Sequence, residues 1–168
     1  MTKKETLWRH ILHKAFTERV LTFTQKELAE RFSISTSTVF NALKAPRKSG
    51  AVAVTGRFIR VRSAEKLLLL WATQRNIKND LLYATRVDAP VGETEGGMPP
   101  NVIFGAFSAY RLKYGEAPAE YSAVYVYSDD VESLKKRFPP GKGHPNLFVL
   151  KPDPHLADFG QTTPDVQT

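Results

Sequence analysis

Thr36, Ser37, Thr38, Asn41 and Lys44 have the chemistry of base recognition. On a helix these positions share the outward half. They are short hydrogen-bonding groups and one base, with no acid among them. Such side chains reach base edges and phosphates in a major groove. A helix that merely faces water usually mixes in Glu and Asp. Phe40 points outward in the same register and either packs on the first helix or touches a thymine methyl. Ser35, just ahead, is a good N-cap and joins the candidate DNA contacts. Arg47, Lys48, Arg57 and Arg60, with Arg62 beyond them, are suited to phosphate contacts.

Side chains can read a groove only when held by a scaffold, and the flanking sequence predicts one. Leu7, Trp8, Ile11, Leu12, Ala15, Phe16 and Val20 recur at spacings of three and four, one face of an amphipathic helix. Arg9, His10, His13, Lys14 and Glu18 fall on its other side, read as a solvated polar face rather than metal ligands. Thr24 with Glu27 forms a capping box that opens a short helix to about Phe32. After Ser33-Ile34-Ser35 a second helix carries Val39, Ala42 and Leu43 inward and ends near Lys44, before Pro46. Leu28, Phe32, Ile34, Val39 and Ala42 supply the apolar crossing set of a helix-turn-helix, and Ala29 its small residue. Pro46 to Gly50 reads as a connection, and Ala51–Val54 and Arg57–Val61 as strands around Thr55-Gly56. A hairpin after a recognition helix is a wing, so residues 1–62 are expected to be a winged helix-turn-helix.

The charge distribution agrees. Residues 1–62 hold 13 Lys and Arg against 4 Glu, a net +9, and the remainder carries −2. A basic module for a polyanion is thus joined to a module of another kind. There are no cysteines, so disulfides and thiolate metal sites are excluded. The best apolar run, Leu67 to Ala72, is far too short to span a bilayer. No signal-peptide core is present, and a cytoplasmic location is expected.

Ser63 to about Ile77 is expected to be a helix, capped by Ser63, in a linker covering 63–80. Residues 81–168 then alternate strand and helix, a small mixed α/β domain in a chain of α+β class. Strands are expected at Leu81–Val87, Tyr121–Tyr127 and Leu147–Leu150. Residues 88–100 read as a loop by composition. Asn101–Tyr114 reads as a helix, and Asp129 or Asp130 caps another through Arg137. Catalytic chemistry is thin. Asp129-Asp130 lacks the alternation and the Gly-Ser turn of a nucleotidyltransferase site. Gly141-Lys142-Gly143-His144 lacks P-loop spacing, and His144 and His155 have no evident partners. No set of named catalytic roles can be filled, so neither an enzyme nor a cofactor is expected.

The order of these features, with Met98-Pro-Pro-Asn-Val-Ile-Phe-Gly-Ala-Phe-Ser-Ala-Tyr-Arg-Leu-Lys-Tyr-Gly and then Val124-Tyr-Val-Tyr, resembles the AbiEi family over nearly the whole chain. That family is the antitoxin and repressor half of abortive-infection phage-defence systems. Phe107-Ser-Ala-Tyr-Arg is the most specific phrase, while over Gln25–Lys44 the chain resembles the DNA-binding helix-turn-helix family, from which Ser33 departs where glycine is usual at the turn. The resemblance implies a prokaryotic autorepressor, paired on an inverted repeat in its own promoter. It also implies antitoxicity toward a nucleotidyltransferase-type toxin, without a stable complex. Thr163-Pro164-Asp165 reads as a helix start with no helix after it, where relatives continue, so a truncated C-terminus is expected. The alternative is a stand-alone regulator whose C-terminal domain senses a small ligand. Its pocket would be lined by the 88–100 loop and by aromatics such as Tyr83, Tyr110 and Tyr125.

Overall fold

A computed structural model describes residues 1–156 and the backbone of 162–163 and 166–167. The chain is mixed α+β and divides into two compact units, Met1–Asn76 and Ile77–Thr168. Among the described residues no helix is long and apolar enough to cross a membrane.

The first unit opens with α1 (Lys3–Thr17), started by a full capping box. The Thr2 hydroxyl accepts the Glu5 N–H at 3.3 Å, and the Glu5 carboxylate accepts the Thr2 N–H at 2.8 Å. Then follow β1 (Thr22–Thr24), α2 (Gln25–Arg31), α3 (Thr36–Ala42), α4 (Lys44–Lys48), β2 (Val52–Thr55), β3 (Phe58–Val61) and α5 (Ala64–Gln74). The strands make an antiparallel sheet in the order β1-β3-β2. Leu7, Trp8, Ile11, Leu28, Val39, Leu43, Ile59 and Leu67 fill one core.

Several expectations need correction. His10 does not face solvent. It is 5% exposed, with Phe32 and Phe23 edge-on at 5.3 and 6.3 Å. The helix face is wider than the i, i+3, i+4 stripe implies, because the sheet and α2 both close on it. Phe16 and Val20, counted as core, are exposed. The connection after α3 is the helical turn α4. Pro46 is tolerated there in the first turn, where no backbone N–H is required. The boundary also moves. The helix expected as a linker belongs to the first unit, with Leu67 fully buried in its core and the Arg75 Nη1 3.4 Å from the Glu5 carboxylate. The capping box at Thr24 is only half formed. Its hydroxyl accepts the Glu27 N–H at 3.1 Å, while the Glu27 carboxylate takes the Thr24 hydroxyl at 3.0 Å. Ser63 caps α5 as expected.

The second unit runs from a 3-10 turn (Ile77–Asp80) through β4 (Leu81–Thr85), α6 (Val91–Gly96), β5 (Ile103–Gly105), α7 (Ala106–Tyr114), β6 (Val124–Tyr127), α8 (Val131–Arg137), β7 (Leu147–Leu150), β8 (Thr162–Thr163) and β9 (Val166–Gln167). The sheet order is β4-β7-β6-β5-β9-β8, parallel between β6 and β7 and between β5 and β9. Val102, Phe104, Val124, Val126, Leu134, Leu147 and Val149 form its core.

Two segments differ from their reading. Residues 88–100 contain α6, whose Glu95 is buried against Arg111 and Tyr121. The segment 101–114 is not one helix. It begins as β5, paired antiparallel with β6, and turns sharply into α7 at Ala106, φ +51°. Asp130, not Asp129, caps α8. Of the proposed helix start, Thr163 closes β8, and Pro164 and Asp165 lie outside the described residues.

Candidate nucleic-acid interface

The inward residues of α3, Val39 and Ala42, are buried, so the opposite side is left to solvent. Both ends are tied down. Ser35 caps the start by accepting the Thr38 N–H at 3.1 Å. At the other end the Trp8 indole donates to the Ala42 carbonyl at 2.9 Å, one of the carbonyls a helix leaves without an internal partner. The turn from α2 passes through Ser33 at φ +50°, the left-handed region where glycine is usual. The Ile34 N–H then returns to the Ala29 carbonyl at 2.9 Å.

This framework presents Thr36, Ser37, Phe40, Asn41 and Lys44 to solvent. Neither Thr36 nor Asn41 uses its side chain in a hydrogen bond among the described residues. Ser35, Ser37 and Thr38 differ. Their hydroxyls cluster at the cap, Ser35 Oγ lying 2.8 Å from Ser37 Oγ and 2.9 Å from Thr38 Oγ1, and Thr38 is half-buried. Phe40 stays 40% exposed beneath two cations, Arg47 at 5.3 Å and Lys44 at 5.9 Å from its ring centre.

The hairpin brings Arg57 to the start of α3. Thr24, Gln25, Lys26, Thr36, Gly56, Arg57 and Phe58 line one open groove. The bend at Gly56 (φ +57°) makes the tip, and the Gln25 N–H donates to the Arg57 carbonyl at 3.4 Å. Arg60 is not in that groove. It projects from the outer face of the sheet, beside Arg62 and Phe58. Lys26 and Phe58 were missed by the sequence reading, because β1 and the tip of the hairpin are what place them beside Thr36.

Electrostatically, Lys44, Arg47, Lys48, Arg57, Arg60 and Arg62 are exposed, and among the described residues none of them forms an ion pair. Of the carboxylates of this unit, Glu18 is paired with Lys14, Glu30 with Lys26 and Glu5 with Arg75, and none lies on α3 or lines the groove that holds Arg57. The face is therefore a field of uncompensated positive charge.

In the second unit, Arg111 of the phrase Phe107-Ser-Ala-Tyr-Arg pairs with Glu95 and donates to the Tyr121 hydroxyl at 3.1 Å. Burial of Tyr121 and its bond to Glu95 hold that phenol above its ordinary pKa. Ser108 is fully buried. Gly141 meets a structural need: its N–H donates to Thr85 Oγ1 at 2.8 Å, and a Cβ there would lie 2.2 Å from the Arg86 carbonyl oxygen.

Compared with protein-family models, curated proteins and solved structures, the chain matches none.

Proposed function

We propose that residues 1–76 form a winged helix-turn-helix that binds double-stranded DNA with sequence preference, and that the chain is a transcriptional regulator of its own promoter. In this reading α2 and α3 are the helix-turn-helix and β2–β3 is the wing. The observation that carries it is the acid-free, exposed face of α3 with Lys44, Arg47, Lys48 and Arg57 around it, none of which forms an ion pair among the described residues. Thr36 and Asn41 have unused hydrogen-bonding groups for base edges, and Arg47, Lys48 and Arg57 supply affinity through phosphates. One such module reads few base pairs, so two copies pair on an inverted repeat. Their half-sites are spaced by ~10 bp or a multiple.

The role as antitoxin of a nucleotidyltransferase-type toxin, without a stable complex, is supported by the family resemblance alone. A non-enzymatic, cytoplasmic regulator fits the same reading.

The test is fluorescence anisotropy with the duplex upstream of the gene and a scrambled duplex of equal length, at two salt concentrations. Promoter-selective binding that persists at the higher salt is expected. If Lys44, Arg47, Lys48 and Arg57 meet phosphates, log K falls against log salt with a slope of roughly −4. Equal, salt-labile binding to both duplexes would remove sequence preference from the reading, and no binding to either would end it.

A further inference from the structure

We propose that the outer face of the sheet β1-β3-β2 is a second nucleic-acid surface, which takes single-stranded DNA with a base on Phe58 and phosphates on Arg60 and Arg62. Only the choice of DNA over RNA rests on the function proposed above.

Along β3 the side chains alternate. Ile59 and Val61 are buried, while Phe58 and Arg60 face out. Arg62 continues the outward row, its N–H donating to the Ala51 carbonyl at 2.8 Å. The register sets Thr22 and Ala53 on either side of Arg60, and Thr24 and Thr55 on either side of Phe58. Thr22, Ala53, Thr55, Phe58, Arg60 and Arg62 line one open groove, with no acid among them. Arg60 and Arg62 form no ion pair among the described residues. Successive outward residues of a strand stand ~6.7 Å apart, so the ring and two guanidinium groups form an extended row rather than a cluster.

Phe58, on the central strand, is 45% exposed, and Arg57 lies over its ring at 5.1 Å. An exposed ring on a sheet, with cations in line, is a platform for an unstacked base and its backbone. The groove on this face is open, so splayed bases can lie along it. Phe58 also walls the groove that contains Thr36 and Arg57. The two surfaces are therefore continuous, and a strand leaving the α3 face runs directly onto the sheet. That continuity selects DNA.

The test uses the full chain with labelled dT20, rU20 and the promoter duplex at low salt. dT20 is expected to bind. Phe58→Leu and the double change Arg60→Gln with Arg62→Gln should each weaken it by about tenfold, while Phe58→Tyr retains it. Leu keeps the apolar bulk, so a merely structural ring would leave the Leu variant unchanged, and circular dichroism checks that each variant folds. Asn41→Ala should leave dT20 binding intact. Absence of dT20 binding, wild-type binding by Phe58→Leu, an equal loss in Asn41→Ala, or tighter binding of rU20 would each overturn the proposal. Loss of promoter selectivity with dT20 binding intact would instead overturn the duplex reading and leave this one standing.

Discussion

Asn41 is exposed on α3 and its side chain makes no hydrogen bond among the described residues, so its amide is available to a base edge. Asn41→Ala should lower affinity for the preferred duplex by about 1–3 kcal/mol and leave the scrambled duplex unchanged. Equal losses on both would assign it no reading role. Ser33 carries a different cost. A β-carbon at φ +50° is disfavoured, and glycine removes that penalty while adding unfolded-state entropy. Ser33→Gly should therefore stabilise the chain by about 0.5–1 kcal/mol in urea unfolding. His10 links burial to pH. Desolvation, then the charges of Arg31 and Lys14, lower its pKa from 6.5 to about 4. The unfolded chain thus binds the extra proton below about pH 6.5 and the folded chain does not. Stability present above that pH is lost as pH falls toward about 4, by at most ~3 kcal/mol. His10→Phe should flatten that slope in denaturant titrations between pH 7 and 5.

At the scale of elements, the proposed function gives the hairpin and α3 separate tasks. α3 is tied at both ends, by the Ser35 cap and the Trp8 bond, which suits a surface that discriminates. Arg57 sits at the hairpin tip beside Thr36 and forms no ion pair among the described residues, which suits a phosphate contact that does not discriminate. Arg57→Ala should weaken all duplexes alike and make the salt slope shallower by ~1. An unchanged slope would remove that contact. The elements also mark where periodicity misleads. Val102 and Phe104 are buried two apart, the period of a strand, yet the run Ala106–Tyr114 beyond them is helical. The break at Gly105-Ala106 is sharp because β5 pairs with β6, some twenty residues away in sequence. In residues 88–100 the Gly and Pro content hides α6, whose burial comes from its partners Arg111 and Tyr121.

For the molecule as a whole, α5 decides where the first unit ends. Leu67 lies in the core with Leu7 and Trp8, and Arg75 reaches Glu5 across from the C-terminus of α5. A fragment of residues 1–76 should unfold cooperatively and bind the promoter duplex. A fragment of residues 1–62 exposes the apolar side of α1 and should lose several kcal/mol, enough to unfold a small domain. Thermal unfolding of the two fragments checks this, and equal melting would return α5 to the role of linker.

Local chemistry determined much by itself. The caps Ser35 and Ser63, the hairpin around Gly56, strand β7 and the basic first third all follow from residue types at fixed short spacings, because caps, turns and strand alternation are short-range effects. The exposed, acid-free face of α3 was legible for the same reason. Tertiary structure alone decided the rest. β1 is three residues long and exists because β3 offers it a partner. His10 is buried because Phe23 and Phe32 arrive from other elements. Arg60 leaves the α3 face because sheet alternation directs it outward. In each case the determining contact joins residues far apart in the chain, and a one-dimensional pattern carries no record of it.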